Sequence, residues 1–363
     1  MSLGRLRSEF PVLGRVAYLN TGTFGPLPER AAAAQVHWLR RAVEEGRAGH
    51  AFFEEVMGLR DELRAALGRL VEAAPEAIAL TTSTTEGCNI VVAGLGLGPE
   101  DEVVTTDSEH PGLLGPLRTA GVRVRVARVS EAPAADALAV LEGEITPATR
   151  LVAVSHVLWT TGHVLPLEAL SGRGFRVLVD GAQGVGAIPV DVDALGCDYY
   201  TISGQKWLCG PDTTGGLYVR PDRVEELEQR TASYLSWADV ATLEPWPGAR
   251  RFESIWLPPG SVAGLLASLG LADEAGEDRF AAARAAAERC RELVAGRTDV
   301  VTEPGHATLV SFRPRGEEEA ADVVTRLGER GVVVRDLPGL GWVRASCGWW
   351  TSEEDLSRLA EAL

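Results

Sequence analysis

The chain has 363 residues, 45% of them hydrophobic, enough to bury a large core and to split into two lobes. A formal net charge of −16, with no basic run longer than a pair or so of arginines, argues against nucleic acid and anionic membranes as partners. Five scattered cysteines (Cys88, Cys197, Cys209, Cys290, Cys347) without CxxC spacing, and six histidines without an HxxxH pair, give no support to a disulfide framework or a metal site.

That cysteine usage fits a reducing, cytoplasmic setting. The opening MSLGRLRSEFPVLGRV lacks the apolar core of a signal peptide, and no run of about 18 apolar residues marks a membrane span. Residues 1–15 read as an arm that packs elsewhere on the molecule. Residues 16–20 form a small strand ending at Asn20, followed by a Gly-rich turn over 21–25. Apolar residues recur at three- and four-residue intervals over 29–45 and 50–72, which predicts two amphipathic helices. Short apolar strands at 78–80, 102–106, 122–126, 151–155, 177–180 and 199–202 then alternate with helical stretches, and 215–219 closes the series. Several are continuous runs of Val, Leu and Ile, as expected of a mainly parallel sheet covered on both faces. A short helix is predicted at 223–229 and a loop at 244–248. The rest reads as a helix over 261–296 broken near Gly276, strands at 306–313, 332–335 and 342–346, a helix over 317–330, and a last helix from Thr351. Thr351 with Glu354 and Ser352 with Asp355 are candidate capping boxes at its start. The expected architecture is α/β: a large lobe over 16–245, and a smaller α+β lobe from 1–15 and 246–363.

Of the 35 basic residues, 34 are arginine and one, Lys206, is lysine. Arginine replaces lysine wherever a solvated charge suffices, but a guanidinium cannot lose its proton and attack a carbonyl. Lys206 sits in Ser203-Gly204-Gln205-Lys206-Trp207, twenty-six positions after Asp180, and reads as a Schiff-base lysine for pyridoxal phosphate (PLP). The run Thr81-Thr82-Ser83-Thr84-Thr85-Glu86-Gly87 leads from a strand into a helix over 88–95. Free N–H groups and hydroxyls there make an anion site, and an ordinary N-cap would account for one hydroxyl of the five. Asp180 ends its strand at the C-terminal sheet edge, where α/β sheets bind ligands, and can keep a pyridinium nitrogen protonated. Gln183 can donate to a phenolate oxygen. His110, also at a strand's C-terminal edge, can lie flat on an aromatic cofactor. His156, at the edge of the next strand, is placed toward substrate or the cofactor oxygen, and Asn20 with the substrate. Arg344, between apolar neighbours, offers a fork for a carboxylate. The stretch Gly94-Leu95-Gly96-Leu97-Gly98 is not a dinucleotide fingerprint, because it follows a helix and precedes a strand. Trp159, Trp207, Trp349 and Trp350 are candidate walls of a substrate pocket, with some of them in the core.

Thr84-Thr85-Glu86-Gly87, Glu109-His110, Val179-Asp180-Gly181-Ala182-Gln183, Cys197-Asp198-Tyr199-Tyr200 leading to Ser203-Gly204-Gln205-Lys206, and Arg344-Ala345-Ser346 before Thr351-Ser352-Glu353-Glu354-Asp355 form an ordered set. The set resembles the class V aminotransferase family of fold-type I PLP enzymes, which share the aspartate aminotransferase-like fold. The nearest branch is that of cysteine desulfurases, selenocysteine lyases and isopenicillin N epimerases. The resemblance runs from about Val16 to the C-terminus.

It implies that Lys206 carries the cofactor, Asp180 pairs with the ring nitrogen, Gln183 with the phenolic oxygen, and His110 stacks on the ring. Thr84, Thr85, Ser203 and Gln205 would hold the phosphate and Arg344 the substrate α-carboxylate. It further implies a homodimer with sites at the subunit interface. Three features depart from the branch. Gln205 stands where desulfurases carry histidine. Ser254-Ile255-Trp256 follows Arg251-Phe252-Glu253 in place of Gly-Thr. The loop Arg335-Asp336-Leu337-Pro338-Gly339-Leu340-Gly341 lacks the persulfide cysteine, and Cys347 lies on the wrong side of Arg344. The expectation is therefore an enzyme that removes the α-proton of an amino acid and acts as a C–S or C–Se lyase or an epimerase without a persulfide cysteine. An aminotransferase is the alternative outcome, and a catalytically silent PLP-fold module is the alternative of another class.

Overall fold

The computed structural model describes residues 3–363. At the N-terminus α1 (Leu3–Leu6) and two turns of 3₁₀ helix lead to β1 (Ala17–Tyr18), and Leu6, Phe10 and Leu13 of this arm pack with Leu271, Ala275 and Trp350. Two amphipathic helices follow, α2 (Glu29–Glu44) and α3 (His50–Leu70). Strand and helix then alternate through β2 (Ile78–Thr81), α4 (Thr84–Gly94), β3 (Glu102–Thr106), α5 (Pro111–Ala120), β4 (Arg123–Ala127), α6 (Ala137–Gly143), β5 (Thr149–Ser155), β6 (Arg176–Asp180), α7 (Val192–Leu195), β7 (Tyr199–Ser203) and β8 (Gly215–Val219). A 3₁₀ helix over Pro221–Glu226 takes the place of the helix predicted at 223–229.

These strands form one seven-stranded sheet in the order β2-β8-β7-β6-β5-β3-β4. Strand β8 runs antiparallel to both neighbours, and all other pairs are parallel. Alternation sends Val152, Val154, Val177, Val179, Tyr200 and Ile202 into a core with Leu63 and Leu67 of α3. Ala153, Leu178, Tyr199 and Leu217 face the other way, against Cys88 and Val91 of α4 and Leu113 and Leu117 of α5. Covered on both faces, the strands read as continuous apolar runs in the sequence. The C-terminal ends of β3, β5, β6 and β7 meet along one edge, which brings together Glu109, His110, Asp180 and the 203–206 segment.

Beyond a small hairpin of β9 (Trp237–Asp239) and β10 (Glu244–Pro245), the chain forms α8 (Pro259–Ala275) and α9 (Asp278–Ala295). The remaining elements are β11 (Asp299–Val300), β12 (Leu309–Arg313), α10 (Ala320–Glu329), β13 (Val332–Val333), β14 (Arg335–Leu337), β15 (Trp342–Ser346) and α11 (Glu353–Ala362). A four-stranded antiparallel sheet, β11-β12-β15-β14, packs on α9, α10 and α11. The last helix starts after Ser352, whose capping box is completed by Asp355, while the Thr351 hydroxyl accepts from the Gly348 N–H instead.

The lobes divide later than residue 246. Leu257, Val262, Leu265 and Leu269 pack into the large-sheet core, so α8 belongs to the large lobe, and the change comes at Gly276 (φ 67°), between α8 and α9. The Pro- and Gly-rich loop at 244–248 resembles a linker in composition but connects elements of one lobe. Residues 17–20 go the other way. Strand β1 pairs in parallel with β13, and Ala17 and Leu19 lie in the small-lobe core.

One buried ion cluster ties the turn at 249–253 to the large sheet. Glu253 accepts from Arg60 at 2.5 Å, from Arg64 at 2.6 Å, and from the Leu80 N–H on the edge strand β2 at 3.0 Å. Glu253 is 1% exposed and Arg60 0%. Removing one member of a buried ionic group leaves its partners desolvated and uncompensated, which costs about 3–5 kcal/mol. Glu253→Gln is accordingly expected to lower unfolding free energy by that amount in a denaturant titration. A loss under about 1 kcal/mol would show that water reaches the cluster.

Candidate active site

The phosphate-like end of the site is built by the turn from β2 into α4. The helix begins at Thr84, four residues earlier than its apolar pattern implies. Ser83 is its N-cap and accepts from the Glu86 N–H, while the Glu86 carboxylate accepts from the Thr82 N–H and hydroxyl at 2.6 and 2.7 Å. The Thr81 hydroxyl donates to the Ser83 carbonyl. Three of the five hydroxyls are thus consumed locally. Those of Thr84 and Thr85, on the first helical turn, have no protein partner among the described residues, and this is where a helix N-terminus takes an anion. Across the cleft, the Ser203 hydroxyl donates to the Gln205 Oε1 at 3.0 Å, which leaves the Gln205 amide N–H groups available.

Lys206 follows directly, partly open to the cleft and without a hydrogen bond to its amine among the described residues. Burial pushes the amine down to about 8. Asp180 opposes that shift, and the guanidiniums of Arg344 and Arg335 add to it. A lysine in this state supplies a neutral nucleophile or base near neutral pH. The turn at 21–25 approaches so closely that a Cβ on Gly25 would lie 2.1 Å from the Lys206 carbonyl oxygen. Asp180 is buried, and its Oδ1 accepts from the Ala182 N–H at 2.9 Å and from the Thr201 hydroxyl at 3.4 Å. Its Oδ2 has no donor among the described residues. One oxygen is fixed and one is free, as a ring N–H requires.

His110 is the N-cap of α5. Its Nδ1 accepts from the Gly112 N–H at 3.0 Å, so the neutral ring carries its hydrogen on Nε2. Burial, then Lys206, holds its pKa below the usual value. Glu109 beside it is buried and accepts from the Ser155 N–H, the Ser155 hydroxyl and the Thr106 hydroxyl. This ties the ends of β3 and β5 together. Burial raises the Glu109 carboxyl to about 7.

Gln183 is occupied on both sides. Its Nε2 donates to the Gly22 carbonyl at 2.8 Å, and its Oε1 accepts from the Trp207 indole at 2.9 Å, so one amide N–H is left for a ligand. His156 is separated from the group. Period-2 alternation sends it to the face opposite Ser155 and the Asp180 carboxylate, where its Nδ1 meets the Tyr200 hydroxyl at 3.0 Å. Burial lowers its pKa to about 4. The expected place of His156 beside the substrate is thereby corrected. Asn20 does reach the cleft margin, where its Oδ1 accepts from the Thr23 hydroxyl at 2.8 Å. Trp349 and Trp350 pack in one hydrophobic cluster, Trp207 packs in another while its indole bonds Gln183, and Trp159 meets His110 edge-on at 5.3 Å.

The small lobe contributes two guanidiniums. Arg344 is 0% exposed, donates through Nη1 to the Trp159 carbonyl at 2.8 Å, and has no partner for Nε or Nη2. Burial, with Arg335 adding to it, holds its pKa down to about 9, which still leaves it charged at neutral pH. Arg335 stands directly opposite Arg344 across β14 and β15. It donates to the Thr23 hydroxyl at 3.2 Å and to the Asp336 carbonyl at 3.1 Å. Both guanidinium carbons lie just under 6 Å from the Trp159 ring, at 5.8 and 5.9 Å, and neither arginine has a carboxylate partner among the described residues. Sequence reasoning missed Arg335. The available signal was its register: nine residues before Arg344, across a tight turn, the two strands bring them face to face.

An acid at a strand end, a lysine with a lowered pKa, a histidine at a strand's edge, a hydroxyl-lined helix start and two guanidiniums without a carboxylate partner among the described residues are groups that fit a PLP site of the fold-type I kind. Comparison with known proteins agrees. The family model described as "Aminotransferase class-V" matches residues 18–359. The isopenicillin N epimerase of Streptomyces clavuligerus is 31% identical over 385 residues, covering 96% of this chain and 94% of that protein. A cysteine desulfurase of Klebsiella pneumoniae is 28% identical over 403 residues, covering 100% and 97%. Among solved structures, the cystine C–S lyase C-DES in complex with its product cysteine persulfide superposes with a TM-score of 0.91 at 34% identity, over 97% of this chain and 99% of that one. A mutant of C-DES with glycine covalently linked to its PLP cofactor gives 0.90 at 33% identity, over 98% and 99%. The chain belongs to the class V aminotransferase family and is a PLP-dependent enzyme.

The Lys206 environment carries a testable cost. Below pH 8 the amine is protonated in both folded and unfolded chains, and the folded protein bears the full penalty of holding the charge. As pH rises from 8 to the unfolded value of 10.5, that penalty disappears. Lys206→Met is expected to stabilise the cofactor-free protein at pH 7 by up to about 3 kcal/mol, with the gain vanishing toward pH 10.5. Denaturant titrations at the two pH values check this, and a pH-independent difference would contradict the assigned shift.

Proposed function

We propose that this enzyme is a C–S lyase that β-eliminates a sulfur amino acid bearing a second carboxylate, of the cystine type, without passing sulfur to one of its own cysteines. One observation carries the reading: Arg335 and Arg344 are a cross-strand like-charge pair with no counter-ion among the described residues. Like charges directly opposite destabilise a sheet, so the arrangement calls for an anionic ligand at each fork. Arg344, the more buried, takes the α-carboxylate, and Arg335 the distal one. The similarity to C-DES, a cystine C–S lyase, supports the same choice. All five cysteines are buried, which removes the accessible thiolate that a persulfide carrier needs.

Bound PLP supplies the electron-poor ring that stabilises negative charge at the substrate Cα. Thr84, Thr85, Ser203 and Gln205 hold its phosphate, the open Oδ2 of Asp180 its ring nitrogen, the remaining Gln183 N–H its phenolic oxygen, and His110 its ring face. The chain's own part is positioning and proton transfer. Lys206, neutral near pH 8, removes the Cα proton. The electron pair left at Cα becomes the Cα–Cβ double bond as the Cβ–S bond breaks, and the departing sulfur keeps the bonding pair. It accepts a proton returned from Lys206. Addition of water then converts the three-carbon fragment to a 2-oxo acid and ammonia. For cystine the balance is one water consumed and one cysteine persulfide, one pyruvate and one ammonia formed.

Incubation with cystine is expected to give pyruvate and a persulfide in equal amounts, with borohydride fixing the cofactor on Lys206, the sole lysine. Arg335→Gln is expected to raise KM for cystine by about ten- to a hundredfold, the scale of a hydrogen bond to a charged group. Turnover of β-chloroalanine, which has no distal carboxylate, should stay within about threefold. Racemised substrate without pyruvate would point instead to epimerisation, the activity named for the Streptomyces relative.

The same reading includes a homodimer. Phe53 stacks against Trp256 at 6.1 Å, Tyr234 lies tilted against it at 6.4 Å, and Trp38 meets Phe52 at 6.3 Å. Trp38, Phe52 and Trp256, with the exposed Leu39, line a groove of about 610 Å³, and Val36 and Ile255 are exposed as well. So large an apolar surface marks an association site. Sedimentation is expected to give twice the chain mass of 38.6 kDa, and Trp256→Glu to shift it toward the monomer.

A further inference from the structure

The turn between β1 and α2 touches both halves of the site. Its Gly22 carbonyl accepts from Gln183, and its Gly25 N–H donates to the Gln205 carbonyl at 2.8 Å, so the large lobe holds it. On its other side, a Cβ on Gly22 would lie 2.7 Å from Nη2 of Arg344, and the Thr23 hydroxyl meets Arg335. That hydroxyl is polarised in one direction. Its hydrogen goes to the Asn20 Oδ1, and Asn20 is itself held by a bridge to Ser346 on β15. The Thr23 oxygen is then free only to accept, and the donor aimed at it is Nη1 of Arg335. With Nε committed to the Asp336 carbonyl, two of the three guanidinium nitrogens are fixed, and Nη2 has no partner among the described residues. A long, flexible side chain on a partly open strand is thereby restricted to one pose beside Trp159.

From this geometry we infer that Asn20 and Thr23 are positioning residues that set the enzyme's selectivity for a distal carboxylate by orienting Arg335. The inference rests on the dicarboxylate reading of the site. It assigns Asn20 a role through Thr23 and Arg335 in place of direct contact with substrate. Preorganisation is the physical basis. A guanidinium already held in its binding pose loses less rotamer freedom when the carboxylate arrives. The α-carboxylate contact, which Arg344 makes through nitrogens fixed by burial, does not depend on the relay. The two substrate contacts are therefore separable by mutation.

The test uses the holoenzyme and Thr23→Val, which keeps the side-chain shape and removes the hydroxyl, with Thr23→Ser as the restoring variant. The probes are 2,7-diaminosuberate, a cystine analogue with methylenes in place of the sulfurs, and 2-aminobutyrate, which has one carboxylate. Affinity is read from the change in cofactor absorbance on titration, so no C–S cleavage is needed. Thr23→Val is expected to weaken diaminosuberate about tenfold, to leave 2-aminobutyrate within about twofold, and to raise KM for cystine with kcat kept. Thr23→Ser is expected to recover most of the loss. Equal weakening of both probes, or no weakening of diaminosuberate in a wild-type background that prefers it, overturns the relay while leaving the dicarboxylate reading in place. A wild-type enzyme that binds diaminosuberate no better than 2-aminobutyrate overturns both.

Discussion

Lys206, Arg335 and Arg344 influence one another in a cleft where Asp180 offsets the charge of Lys206, while neither guanidinium has a carboxylate partner among the described residues. In a chain with sixteen excess negative charges, this local positive surplus is maintained against an abundant supply of acidic side chains. The cost is visible in the lowered pKa of both Lys206 and Arg344. At Arg344, which is fully buried on β15, it is borne by the surrounding core. Bringing in an anionic amino acid relieves the repulsion between the guanidiniums, which while unpaired help hold the lysine amine toward its neutral form. Binding and activation are then consequences of one electrostatic arrangement.

That arrangement depends on where strands end. The parallel strands β3, β5, β6 and β7 stop at one edge, and each delivers a short polar segment there. The antiparallel β14–β15 pair presents its two arginines from the opposite lobe. Between them lies a turn with room for hydrogens alone at Gly22 and Gly25. Glu109 clamps the ends of β3 and β5, and Ser155 stands in register with Asp180, so the carboxylate and His110 are positioned by the same backbone ladder.

What the sequence made legible was whatever the chain writes locally. A single lysine, an acid closing an apolar strand, a hydroxyl run before a helix and an arginine inside a short strand each carry their meaning within a few residues. Lys206, Asp180, His110, Thr84, Thr85 and Arg344 were singled out that way. His156 shows the limit of the method: one step along a strand reverses the face, and the fact that it follows a strand end does not say on which side it lies. Arg335 was passed over because its importance is a cross-strand relation, visible only once β14 and β15 are paired. The lobe boundary failed for a similar reason. Composition marks 244–248 as a break, but whether a segment separates two cores depends on where α8 buries Val262, Leu265 and Leu269.

The burial of every thiol has a further consequence. Persulfide sulfur exchanges with exposed thiolates, so an enzyme with the proposed C–S lyase activity would be within reach of its own product. Here Cys88, Cys209 and Cys347 have their pKa values raised well above that of a free thiol, and Cys197 is raised as well. Protonated and packed against apolar neighbours, they are poor partners for sulfur exchange. On the proposed reading, such a protein would stand in a stream of sulfane sulfur without accumulating it, and what it liberated would stay available to acceptors outside.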